Sequence, residues 1–269
     1  MSGRITSGAA LQTDDVQGIS ESLAAAQRGL GRLEPTDSDR DITVETGYII
    51  QQAVMQLREQ AGENVVGYKI GLTSPASQEL FSASQPIAGL LWEGSVFEEA
   101  DRISLAGMHA PLVEVEMAFI MRTALEGPGV TAGEVMAATE TISVALEIVD
   151  SRWSGGQPGL GQILADNANA AAIVMGPRIS STDLDVSSIR VDVQVGQQSL
   201  SGRGTNVMGN PLHAVSWLVE QLSTQNKRIE AGQIILSGTM TVPTPVHPGD
   251  RIRVDIRGLG TMAVTIADS

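Results

Sequence analysis

The run Ile142-Ser-Val-Ala-Leu-Glu-Ile-Val149 is fit for burial along its whole length except at one residue, Glu147. With Thr141 it predicts a strand. A carboxylate buried there without a partner is costly, so Glu147 should meet a cation or an arginine, and Arg152, just beyond Asp150, offers one. A second segment poses the same problem twice. In Val113-Glu114-Val115-Glu116-Met117, strand alternation puts Glu114 and Glu116 on one face and the apolar residues on the other. Two carboxylates at that spacing repel unless they are solvated, share a proton or are bridged by a cation. The segment fits an ordinary half-exposed strand. It also fits a pair of oxygen ligands for a hard cation such as Mg²⁺ or Mn²⁺. With Glu147 it would make a three-carboxylate site with positions open for a substrate. That set lacks His and Cys, which disfavours zinc.

These strands belong to a chain of 269 residues, ample for one core-forming domain with a small appendage. Aromatic residues make up only 3%, while there are 29 glycines, so the core must rest on Val, Ile, Leu, Ala and Met. That composition suits a β-rich domain with tight turns. Apolar spacing through Val16, Ile19, Leu23 and Ala26 predicts a helix over Asp14–Leu30, broken by Gly29 and Gly31. A polar, Pro-containing connector follows over Leu33–Arg40. A second helix is predicted over Val44–Gln60, stopped by Gly62. Beyond Asn64 the pattern becomes strand-like: Val65–Ile70, Pro111–Met121, Thr141–Val149, Ala170–Met175, Ile189–Val195, Gln233–Leu236, Arg251–Ile256 and Met262–Ile266. Helices are predicted at Pro75–Phe81, Thr131–Ala138 and Gly209–Leu222, the last opened by Asn210 and Pro211. The expected class is α+β, with a small helical part over residues 1–62 and a β-rich catalytic domain over residues 63–269.

A net charge of −14 argues against nucleic acid or anionic membrane surfaces as partners, since both need clustered Lys and Arg. Zero cysteines exclude disulfides, thiolate metal sites and a thiol nucleophile. The segment Met1-Ser-Gly-Arg-Ile-Thr6 lacks the apolar core of a signal peptide, and no apolar run is long enough to cross a bilayer. The expectation is a soluble, cytoplasmic protein. Only two lysines occur, and Lys69 lies in the apolar, glycine-flanked Gly67-Tyr-Lys-Ile-Gly71. A buried lysine exchanges protons or grips a carboxylate; a strand lysine that snorkels to solvent fits the same pattern. Ser201-Gly-Arg203-Gly-Thr205 is a Gly-rich loop with a cation, but it lacks the lysine and spacing of a phosphate loop. Ser237-Gly238-Thr239 follows a strand and offers backbone N–H groups, though by itself it signals only a turn.

In order along the chain stand Gly67-Tyr-Lys-Ile-Gly-Leu-Thr-Ser74, Val113-Glu-Val-Glu-Met-Ala-Phe119, Glu147-Ile-Val-Asp-Ser-Arg152, Ala165-Asp-Asn167, Gly202-Arg-Gly204, Gly209-Asn-Pro-Leu212 and Ile235-Leu-Ser-Gly238. This series resembles the 2-hydroxypenta-2,4-dienoate (2-keto-4-pentenoate) hydratases. It equally resembles the related 2-oxo-3-hexenedioate (4-oxalocrotonate) decarboxylases of aromatic meta-cleavage pathways, both within the fumarylacetoacetate hydrolase superfamily. The resemblance runs from about residue 40 onward. It implies Mg²⁺ or Mn²⁺ on Glu114, Glu116 and Glu147, with Lys69 acting beside the substrate and Asn167, Arg203, Ser237 and Gly238 as further substrate-binding candidates. It further implies a small 2-oxo or 2-hydroxy-dienoic acid substrate, a homo-oligomer and association with a sister pathway enzyme. Hydration is the first reading and decarboxylation the alternative. C–C bond hydrolysis and an inactive partner subunit stand behind them. Two positions depart from the hydratase pattern: Gln85-Pro-Ile87-Ala-Gly89 has Ile where hydratases usually carry Asp, and Asn169 stands where Ser is usual.

Overall fold

The structure, a computed structural model, describes residues 13–36, 39–98, 102–180 and 184–267. The segment read for a signal peptide and part of the Leu33–Arg40 connector lie outside the described residues. Two helices come first, α1 (Thr13–Ala26) and α2 (Val44–Gln60). The Thr43 hydroxyl accepts from the Thr46 N–H and so starts α2 where its apolar period begins. Leu23 of α1 and Ile50 and Val54 of α2 pack around Trp153 and Ala165, which seats the helical part on the later segment that leads into the site.

The β-rich part runs β1 (Val65–Gly71), α3 (Pro75–Leu80), β2 (Ile87–Trp92), β3 (Val96–Glu98), β4 (Arg102–Ile103), β5 (Leu112–Met121), α4 (Ala132–Ala138), β6 (Thr139–Val149), α5 (Leu160–Ala165) and β7 (Ala170–Ser180). It continues with β8 (Arg190–Val195), β9 (Gln198–Arg203), α6 (Pro211–Ser223), β10 (Ile234–Thr239), β11 (Thr244–Pro245), β12 (Arg251–Ile256) and β13 (Gly260–Ile266). The expected α+β class holds. The elements that the sequence left unread are β2, β3, β4, α5, β9 and β11. β9 corrects an expectation, because Ser201–Arg203 is strand rather than anion-cradling loop.

One sheet follows the order β2-β1-β10-β5-β6-β7-β3, with β11 added on β5; the other follows β4-β13-β12-β8-β9. In the large sheet β2 and β3 are the two edges, yet only the single turn Glu93–Ser95 separates them. Six strand spacings in a flat sheet would place those edges about 28 Å apart, while three residues reach only about 10 Å. The sheet therefore curls into a roll. Its inside holds a small cluster that includes Leu91, Ala118, Ala145, Ile173 and Leu236. Its outside, through Val115, Met117 and Phe119, packs on Val191 and Val254 of the second sheet and Val215 and Leu218 of α6. Among the described residues no helix is long and apolar enough to cross a membrane.

Candidate metal centre and substrate cavity

Strand alternation sends Glu114 and Glu116 to the same side of β5 as Ala118, toward the inside of the roll. Antiparallel pairing sets Glu114 opposite Glu147 of β6, and Glu116 opposite Ala145 on one side and Thr239 on the other. Each of the three carboxylates offers one oxygen, and these atoms lie within 4.8 Å of one another. Glu116 and Glu147 are buried at 1% and 0% exposure; Glu114 is half-buried. Lys69 enters from β1, itself buried, with Nζ 3.2 Å from Glu147 Oε1. Nζ also donates to the Ala168 carbonyl at 3.0 Å. The contact with Glu147 is an ion pair rather than an aligned hydrogen bond. Among the described residues, neither Glu147 oxygen and not Glu116 Oε1 has a hydrogen-bond partner. Glu116 Oε2 accepts from the Gly238 N–H at 2.8 Å.

Charge and burial compete here. Burial pushes Glu116 well above the usual carboxylate range, and the Glu147 and Glu114 charges add to that rise. Burial pushes Glu147 up to about 7 against the pull of the Lys69 ammonium. Glu114 is raised by burial and partly restored by Lys69. Burial alone would lower Lys69, but the three carboxylates more than offset it and hold the amine above its ordinary value. Three carboxylates and one ammonium leave a formal charge of −2 in a buried place. Together with three carboxylate oxygens that accept no hydrogen bond and an all-oxygen donor set, that charge fits a hard divalent cation.

A cavity of about 760 Å³ opens onto this cluster through Lys69 and Glu114, with Glu116 and Glu147 behind its wall. Residues 75–267 match the family described as fumarylacetoacetate (FAA) hydrolase C-terminal. The chain belongs to that family. A curated relative, the 2-hydroxyhexa-2,4-dienoate hydratase of Comamonas testosteroni, is 36% identical over 91% of this chain and 95% of its own. The 4-oxalocrotonate decarboxylase of Pseudomonas sp. (strain CF600) is 30% identical over 93% of this chain and 96% of its own. Among solved structures, the 4-oxalocrotonate decarboxylase from Pseudomonas putida complexed with magnesium and adipate has a TM-score of 0.89 at 27% identity. It covers 96% of this chain and 99% of its own.

In this FAA hydrolase-family chain the other residues singled out from sequence fall in different places. Arg152 is not the partner of Glu147. It donates to the Asp150 and Ala170 carbonyls and lies 3.5 Å from Asp166 Oδ1, so the ion pair belongs to Lys69. Asn167 does not line the cavity. Its side-chain amide clasps β2, donating to the Leu90 carbonyl at 2.9 Å and accepting from the Leu90 N–H at 2.7 Å. That clasp holds Asn167, Ala168 and Asn169 in the left-handed region, with φ of 56°, 51° and 59°. Three consecutive non-glycine residues there are strained. The strain presents the Ala168 carbonyl to Lys69 and puts Asn169 on the cavity wall with Oδ1 unpartnered. Arg203 is exposed at the end of β9 and is not part of the wall, which Ser201 reaches instead. Ser237 is fully buried with its hydroxyl unpartnered. Gly238 serves through its backbone: at φ 105° a Cβ would lie 2.3 Å from Thr73 Oγ1, so only glycine lets this N–H reach Glu116.

Thr73 and the Ala168 carbonyl were not read from the sequence as site groups, whereas Asn169 was singled out there. The signal for Asn169 was its departure from the usual Ser. Asn167→Ala should cost about 2–4 kcal/mol, because it leaves two part-buried backbone groups of β2 unpaired and places alanine at a positive φ. Denaturant unfolding checks this, and a change below ~1 kcal/mol would show that the clasp carries little.

Proposed function

We propose that the chain is a metal-dependent lyase that adds water to 2-hydroxy-2,4-dienoates to give 4-hydroxy-2-oxo acids. The observation that carries the reading is the convergence of Glu114, Glu116 and Glu147 with Lys69 at the inner end of a cavity large enough for such a substrate. The hydratases among the curated relatives support the choice of reaction. Glu114, Glu116 and Glu147 would hold Mg²⁺ or Mn²⁺, which supplies Lewis-acid polarisation of a 2-oxo oxygen. Lys69 donates to the Ala168 carbonyl and ion-pairs with Glu147, which leaves donor capacity on its ammonium to hold the substrate carboxylate or to pass a proton. The unpartnered Asn169 Oδ1 on the wall accepts a hydrogen from a water and so orients it. The Gly238 N–H positions Glu116. Arg203, exposed and outside the wall, has no role in this reading.

Ile87 favours a second reading, decarboxylation of a 2-oxo-3-hexenedioate. It is buried on the cavity wall, and an apolar surround favours conversion of a carboxylate to neutral CO₂. Purified protein with Mg²⁺ should consume 2-hydroxypenta-2,4-dienoate and yield the 4-hydroxy-2-oxo acid. CO₂ release from 2-oxo-3-hexenedioate with no turnover of the dienoate would replace hydration by decarboxylation and leave the metal site standing.

The reading extends to a cytoplasmic homo-oligomer that associates with a sister pathway enzyme. The assembly is built from the region after residue 62, where exposed Phe97 supplies apolar contact surface. Light scattering should return a multiple of the 28.2 kDa chain mass. A strict monomer at micromolar concentration would exclude the oligomer.

A further inference from the structure

The wall of the cavity is charged at one end only. Among its described residues the sole charged groups are Lys69 and Glu114, and both belong to the carboxylate cluster. From there outward the wall is uncharged and largely apolar. Built on Gly71, a Cβ would lie 4.0 Å from Lys69 Nζ and 3.2 Å from Ile87 Cγ1, so the apolar surface begins directly beside the ammonium. Ile87, Ile163 and Ala168 pack there as one cluster with Leu72 and Phe81 against it. At the rim, Leu80 and Val242 stand 65% and 72% exposed. Most polar side chains of this outer wall, Thr73 and Ser201 excepted, are committed elsewhere. Ser74 and Ser77 bond each other, Asn206 donates to the Met240 carbonyl, and Thr239 donates to the Thr241 carbonyl.

We propose that this site selects a monocarboxylic 2-oxo or 2-hydroxy acid whose far end is an alkyl group of several carbons, and rejects a second carboxylate at that end. The inference rests on the hydratase reading, which takes the substrate's acid end to Lys69 and the three glutamates. A carboxylate at the other end would leave water for a wall that offers it no cation, a desolvation that scattered hydroxyls do not offset. An alkyl tail gains from the same wall by burial. The decarboxylation reading requires the dianion to enter, so binding separates the two.

Calorimetric titration of the Mg²⁺-loaded protein with unreactive saturated acids tests this. 2-Oxohexanoate and 2-oxoadipate differ at the far end by a methyl group against a carboxylate. The first should bind at least tenfold tighter. From 2-oxobutanoate to 2-oxooctanoate the affinity should rise about three- to fourfold per added methylene. Equal or tighter binding of 2-oxoadipate, or a flat chain-length series, would overturn the inference while leaving the acid-end site intact. If no 2-oxo acid in the set binds, the hydratase reading falls and the inference falls with it.

Discussion

Glu116→Gln should reduce turnover roughly a hundred- to thousandfold, the scale of several kcal/mol of lost charge stabilisation. It should also weaken Mg²⁺ or Mn²⁺ binding at least tenfold, and it should leave the fold intact. The amide keeps a carbonyl to accept from Gly238 and removes a carboxyl whose ionised form is disfavoured by burial and by two neighbouring carboxylates. The metal-free variant should therefore melt at the same temperature as the natural chain or higher, while the upward shift that a divalent ion gives the natural chain should vanish. Thermal melts with and without Mg²⁺, beside titration of the metal, check both halves. A variant that keeps its metal-induced shift would remove Glu116 from the ligand set. One that simply melts early would make it a packing residue.

Lys69→Met should destabilise the metal-free protein by about 3–5 kcal/mol at pH 8, the cost of leaving a buried charge without its partner. The loss should shrink toward pH 5. Glu147 sits at about 7 in the folded chain against an ordinary 4.5, so folding favours its protonated form. That contribution is fully present below 4.5 and is lost as pH rises through about 7. Without Lys69 the chief opposition to the desolvation of Glu147 is gone, its protonated form persists to higher pH, and the penalty appears only where the carboxyl must ionise. Denaturant unfolding at pH 5 and pH 8 gives the comparison. A loss that is equal at both values would mean that Lys69 acts through its packed methylenes rather than its charge.

How far the sequence spoke depends on the distance over which each constraint acts. Alternation is local, so Glu114 and Glu116 were legible as one face of a strand, and Glu147 as a charge that needed a partner. The register that sets Glu114 opposite Glu147 joins residues distant in the chain, and no single segment encodes it. The same holds for Lys69, whose partner looked from local spacing to compete with Arg152 and proved to be Glu147. Helix α2 was readable to its last residue because it is long and capped by Thr43. Helix α5, with six residues, is too short for a period to show. The left-handed run at 167–169 was invisible for a different reason. Alanine gives no hint of positive φ, and the clasp that enforces it reaches Leu90, a residue far away in sequence. Gly202 misled, since it reads as loop. It sits in a strand because a Cβ there would lie 2.6 Å from the Met240 carbonyl oxygen.

The placement of β1 between β2 and β10 has a consequence for how the chain comes to be folded. β1 pairs with β2 soon after it in sequence, but its other neighbour, which sets Leu236 beside Lys69, lies near the carboxyl end. Until that end is available, Lys69 stands on an open sheet edge, and β5 lacks the strand that carries Gly238 to Glu116. Pairings of such separation are closed late and slowly, since loop-closure entropy is spent before they repay it. During synthesis the acidic cluster is thus among the last features to form, and a chain interrupted before β10 would expose an unpaired edge prone to recruit strands from other molecules.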